Sequence, residues 1–170
     1  TIQMKKILIF KLLIVAVMLT FCYSCDEVQG CSSDNIANTT KIISAKDILG
    51  NPKYLAMSYG GYRQKTRDVQ PTIEELKEDM QILSAMGVGI VRTYNLQLPM
   101  AGNLLEAIRQ LKQADPTFEM YVMLGAWIDC EGAWTGKPNH DKDNVEKNTI
   151  EIAKAVELAN QYSDIVKVIA

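Results

Sequence analysis

Phe118-Glu119-Met120-Tyr121-Val122-Met123-Leu124-Gly125-Ala126 is the stretch on which the fold turns. At its centre the five residues from Met120 to Leu124 are apolar without alternation. A strand with one wet face would alternate apolar and polar side chains. An unbroken run instead predicts a strand covered on both faces, as in parallel sheets joined by crossover helices.

The pattern repeats outward from this strand. Upstream, residues 88–93 predict another strand, with Arg92 and Tyr94 at its C-terminal end. A helix over about 103–113 follows it, with Leu104, Ile108 and Leu111 on the inner side and Asp115-Pro116 as the stop. Earlier still, Pro71-Thr72-Ile73-Glu74-Glu75 opens a helix in which Thr72 caps and Glu75 completes a capping box. Ile73, Leu76, Met80, Leu83 and Met86 recur at helical spacing along it, and Gly87 ends it. The first strand, residues 54–58, runs into Tyr59-Gly60-Gly61-Tyr62-Arg63, where two glycines mark a loop.

Downstream, residues 127–143 form the longest connection and carry Asp129, Glu131, Trp134, Gly136, Pro138 and His140, a mixture typical of functional loops. A third helix over 144–162 is expected to place Ile150, Ala153, Val156 and Leu158 among charged neighbours, and residues 165–170 form a fourth strand. The expected class is therefore α/β, the first half of a (β/α)8 TIM barrel truncated after strand 4, since a whole barrel needs eight strands and about 250 residues. A complete flavodoxin-like sheet of four units is the competing reading, disfavoured by an apolar last strand that no helix covers.

The first 45 residues read differently. Met4-Lys5-Lys6 precedes an apolar run over 7–21 broken only by Lys11 and Thr20, the layout of an export signal; a membrane-spanning helix would need about 20 apolar residues. Cys22-Tyr23-Ser24-Cys25 resembles a lipobox, with Ser24 in the small-residue slot before Cys25 as lipid acceptor. Residues 1–25 are thus expected to be a signal peptide, 26–45 a polar tether and 46–170 the barrel half. That makes the protein an exported lipoprotein of the cell envelope, held by its lipid on the periplasmic or surface face of the outer membrane. Only Cys31 and Cys130 remain in the mature body, as a disulfide or as two unpaired thiols.

Composition narrows the partners. With 18 basic and 20 acidic residues the net charge is −2, and no basic cluster lies in the body, which argues against nucleic acid. His140 with Asp141 and Asp143 lacks the spacing of a zinc or calcium site, so neither a metal nor another cofactor is expected. Asp129 and Glu131 stand too close in sequence to flank a scissile bond, and a solvated acidic loop is the preferred reading.

In a barrel, chemistry sits just past the strand ends. Those positions hold Tyr59, Arg92, Tyr94, Asn95 and Trp127, aromatic rings beside hydrogen-bonding groups, which suits a polysaccharide or oligosaccharide. Ordinary rim packing is the alternative for each of them. Ser58-Tyr59-Gly60 on the first strand and Arg92-Thr93-Tyr94 on the second resemble glycoside hydrolase family 17, the β-1,3-glucanases, and particularly its bacterial exo-glucanase-like branch. The resemblance covers about residues 54–170. It implies a retaining β-glucan hydrolase with Tyr59, Arg92, Tyr94 and Trp127 as substrate-binding positions. It also implies two catalytic glutamates, the first in a Gly-Asn-Glu segment just beyond Ala170, so that this stretch alone lacks both and would be inactive. A non-catalytic glycan-binding lipoprotein of the cell surface, or another retaining barrel glycosidase, would share these features.

Overall fold

The computed structural model describes residues 43–170. The expected signal peptide, Cys25, Cys31 and most of the tether lie outside the described residues. Packing is already established at Ile43, inside the stretch read as tether: a short helix, α1 (Ala45–Ile48), buries Ile48 with Ile43 beside it. Next in order come β1 (Leu55–Ser58), α2 (Ile73–Ala85), β2 (Val88–Arg92), α3 (Met100–Ala114) and β3 (Tyr121–Leu124). They are followed by β4 (Cys130–Glu131), β5 (Asn139–Asp143), α4 (Val145–Gln161) and β6 (Val166–Ile169).

The main sheet is parallel and ordered β1-β2-β3-β6, so each strand lies beside its predecessor. A flavodoxin-like sheet reverses its winding about the first strand, creating a switch point. No reversal occurs here, and the flavodoxin alternative is set aside. Helices α2, α3 and α4 pack through Leu76, Met80, Leu104, Leu105, Ile108 and Ala155 onto Val91, Val122, Leu124 and Val166. The opposite face carries Ile90, Tyr121 and Met123, and α1 covers its N-terminal end with Ile48. Both faces of β2 and β3 are therefore apolar, for the reason the unbroken run predicted.

Local chemistry sets the helix starts. Thr72 Oγ1 accepts from the Glu75 N–H at 3.2 Å, and Glu75 Oε2 accepts from the Thr72 N–H at 2.8 Å, closing the expected capping box. Thr72→Ala should cost about 1 kcal/mol in a urea titration. The Thr72 backbone N–H first, and then the Thr72 hydroxyl that alanine would remove, hold the Glu75 carboxyl below its usual pKa. A depressed folded-state value means that the cap's stabilisation is present above the ordinary glutamate pKa and is lost as pH falls through the lowered one, so the Thr72→Ala deficit should shrink in acid. Helix α3 begins at Met100, three residues before the expected start, because Pro99 at its N-cap already has φ −63°.

One helix position differs from expectation. Met86 ends α2 exposed rather than on its inner face, since the chain has already turned at Gly87 with φ +85°. In α4 the buried positions are Asn148, Glu151 and Ala155, while Ile150, Ala153 and Val156 are exposed and only Leu158 is partly buried. Glu151 and Asn148 on the buried face hydrogen-bond the loops after β2 and β3.

The sides of the unit remain apolar. Leu55 and Met57 on β1, Ile82 and Met86 on α2, Ile169 on β6, and Val145, Ile152 and Val156 on α4 are all exposed. None of the described helices is long and apolar enough to cross a membrane.

Candidate functional site

The C-terminal ends of β1, β2, β3 and β6 lie side by side, and backbone bonds extend their pairing past the strands. The Tyr59 N–H donates to the Arg92 carbonyl, Thr93 to Met123, and Ala126 to Ala170. Thr93 is fully buried, and its Oγ1 accepts from the Gly125 N–H at 2.9 Å, which ties the end of β2 to the end of β3. Side chains alternate along a strand, so with Thr93 turned inward its neighbours stand free. Arg92 and Tyr94 are both exposed, with the guanidinium carbon 5.9 Å from the Tyr94 ring centroid. Among the described residues the Arg92 guanidinium makes no hydrogen bond or ion pair. Its five donors are open to a ligand.

Trp127 follows β3 and lies half-buried, its ring stacked on Trp134 with centroids 4.4 Å apart and planes 10° from parallel. Trp134 is 75% exposed, so the pair offers an aromatic surface to solvent. The connection read as a loop contains an antiparallel ribbon, β4 with β5, whose turn carries Trp134 and uses Gly132 at φ +70°. A sequence reading by hydrophobic alternation misses this ribbon, because Asn139 to Asp143 is entirely polar.

Tyr59 is tied to α2. Its ring packs against the helix-side core and its hydroxyl donates to Asp79 Oδ2 at 2.7 Å on α2, while Asp79 also accepts from Arg63 at 2.7 Å. Burial first, then the Asp79 contact, push its hydroxyl pKa up. Tyr59 thus ties the end of β1 to α2, while Arg92, Tyr94 and Trp127 stand at the ends of β2 and β3.

Sequence reasoning missed Glu151 and Asn148. Glu151 is 4% exposed, and its Oε1 accepts from the backbone N–H of Leu96 at 2.7 Å and of Trp127 at 3.0 Å. Lys154 Nζ donates to the Leu96 carbonyl at 2.9 Å. Asn148 accepts from the Asp129 N–H at 2.7 Å and donates to its carbonyl at 3.0 Å. Asp129 is thus partly buried and bound to α4, not the solvated residue expected, whereas Glu131 is exposed and paired with Lys142 at 2.8 Å. The only available signal was a carboxylate at helical spacing from Asn148 and Ala155, a pattern that ordinarily reads as solvent-facing.

His140 Nδ1 lies 3.8 Å from Cys130 Sγ, and Cys130 is unpaired among the described residues. No group of three or more His, Cys, Asp or Glu converges as a metal site among them.

No family model matches the chain, and no curated protein matches it. A solved structure does: the endo-laminarinase from Formosa Hel1_33_131 is similar at 62% identity over 75% of this chain, with a TM-score of 0.70. The match covers 33% of the laminarinase chain, so this chain spans about a third of the length of that structure.

Proposed function

We propose that the described residues form the first half of a (β/α)8 barrel, and that the whole protein is a β-glucan hydrolase cleaving β-1,3-linked glucan of the laminarin type. The single observation that carries this reading is the 62% identity with an endo-laminarinase. Endo action is preferred to the exo-like branch that Ser58-Tyr59-Gly60 and Arg92-Thr93-Tyr94 resemble, because identity over 75% of the chain outweighs two tripeptides.

The geometry supports it in two ways. Arg92, Tyr94 and the Trp127–Trp134 stack combine open donors with flat apolar surface at the strand ends, a pairing suited to pyranose rings. The exposed apolar residues on both sides of the unit, Leu55 and Met57 on one and Ile169 and Val156 on the other, are surfaces that further β/α units of a closed barrel would cover. In this reading a Gly-Asn-Glu segment follows β6, beside Ala126, and supplies the general acid. A later strand supplies the nucleophile, about 5 Å away, for a retaining mechanism. In the same reading, residues 1–25 act as an export signal and acylation of Cys25 would hold the protein at the cell envelope.

The full-length protein incubated with laminarin should release oligosaccharides of mixed length with retained anomeric configuration, read by chromatography and proton NMR. Binding without cleavage would favour the glycan-binding lipoprotein, and inverted products would rule out the two-glutamate mechanism. Metabolic labelling with palmitate should mark the protein and fail with Cys25→Ala; equal labelling of that variant would refute the anchor.

A further inference from the structure

Helix α4 buries two polar side chains, Asn148 and Glu151, and neither is spent within the helix. Both face loops that follow strands: Glu151 holds Leu96 and Trp127, and Asn148 holds Asp129. A carboxylate that is 4% exposed is costly to bury unless it is hydrogen-bonded, and here it collects two backbone donors on a single oxygen. Lys154, three residues further along α4, donates to the carbonyl of the same Leu96. Leu96 is therefore held through both its N–H and its C=O, two residues beyond Tyr94.

The indole of Trp127 has no comparable restraint of its own. Its Nε1–H is buried and finds no hydrogen-bond partner among the described residues. The ring's position then depends on the backbone bond to Glu151 and on the stack with Trp134. Since Trp134 is carried on the β4–β5 turn, whose base at Asp129 is held by Asn148, one helix face orients both halves of the aromatic surface.

We propose that Glu151, seconded by Lys154, is a positioning residue: it clamps the loops after β2 and β3 so that Tyr94 and the Trp127–Trp134 surface keep a fixed spacing for successive sugar rings. This rests on the reading of these strand ends as a glucan site. Glu151 touches no substrate and transfers no proton; it acts through Leu96 and Trp127.

The test uses the full-length protein. The near-UV circular dichroism that Trp134→Phe removes reports the stacked pair. Glu151→Leu should abolish at least half of that signal and raise the KM for laminarin about tenfold with kcat changed less than threefold. Glu151→Gln, which still offers an acceptor oxygen, should restore both to near the parent. An intact Trp134-dependent signal in a folded Glu151→Leu protein, or a Glu151→Gln variant as impaired as Glu151→Leu, would overturn the clamp. If Glu151→Leu does not fold, hydrogen exchange in the parent decides: the Leu96 and Trp127 amides should exchange at least 100-fold slower than free peptide, and exchange at the free rate would overturn the proposal. Should the parent fail to cleave laminarin, the functional reading falls, while the dichroism and exchange results still decide the clamp.

Discussion

Gly125→Ala is expected to lower the unfolding free energy of the full-length protein by about 3 kcal/mol, the top of the range for overpacking a filled interior. A Cβ at this position would stand 2.7 Å from the Thr93 carbonyl carbon and 2.8 Å from Tyr94 Cα, and would meet the Thr93 carbonyl oxygen as well. These obstacles are backbone atoms of the neighbouring strand end, so no rotamer change relieves them. The Gly125 N–H is also committed to Thr93 Oγ1, and moving the chain away would break that bond. Urea denaturation measures the loss, with Gly136→Ala as the control, since nothing lies within 4 Å of a Cβ there. A Gly125→Ala protein within 1 kcal/mol of the parent would mean that β2 and β3 do not approach as closely as described. Because the displaced atoms belong to Thr93 and Tyr94, the surviving folded fraction should also bind glucan more weakly.

Arg92→Met should have the opposite profile, leaving stability within about 0.5 kcal/mol of the parent while reducing kcat/KM on laminarin by about 10- to 100-fold. Among the described residues the guanidinium makes no hydrogen bond or ion pair, and its carbon lies 5.9 Å from the Tyr94 ring centroid. Removing it breaks little that holds the fold. A charged donor bonded to a sugar hydroxyl contributes about 1.5–3 kcal/mol, and each 1.4 kcal/mol is a tenfold change. Methionine preserves the length of the stem, which isolates the loss of donors. Unchanged kinetics would remove Arg92 from the site; a large fall in stability would show that it serves the fold instead.

Much of the α/β layout was legible because it rests on local rules. The unbroken run from Met120 to Leu124, the Thr72–Glu75 capping box and the inner stripe Leu104, Ile108 and Leu111 each act over a few residues, and the structure keeps them. Arg92 and Tyr94 were legible as site candidates for a similar reason: alternation about the buried Thr93 leaves them outward at a strand end. The resemblance to β-1,3-glucanases pointed to the same chemistry as the endo-laminarinase match.

The rest required tertiary structure, because it depends on partners far apart in the chain. That the Tyr59 hydroxyl would meet Asp79, 20 residues on, could not be read from the sequence. Glu151 reaches Leu96, 55 residues away, and Trp127, 24 residues away, partners that no local pattern announces. Strand order, which separates sequential winding from a flavodoxin-like sheet, is likewise invisible to local pattern. The sequence by itself determined the four strands of the main sheet and the three long helices, since hydrophobic periodicity and capping are short-range. Only the tertiary structure decided which buried polar groups would meet, because the cost of an unsatisfied donor is met by whichever acceptor the packing brings within 3 Å.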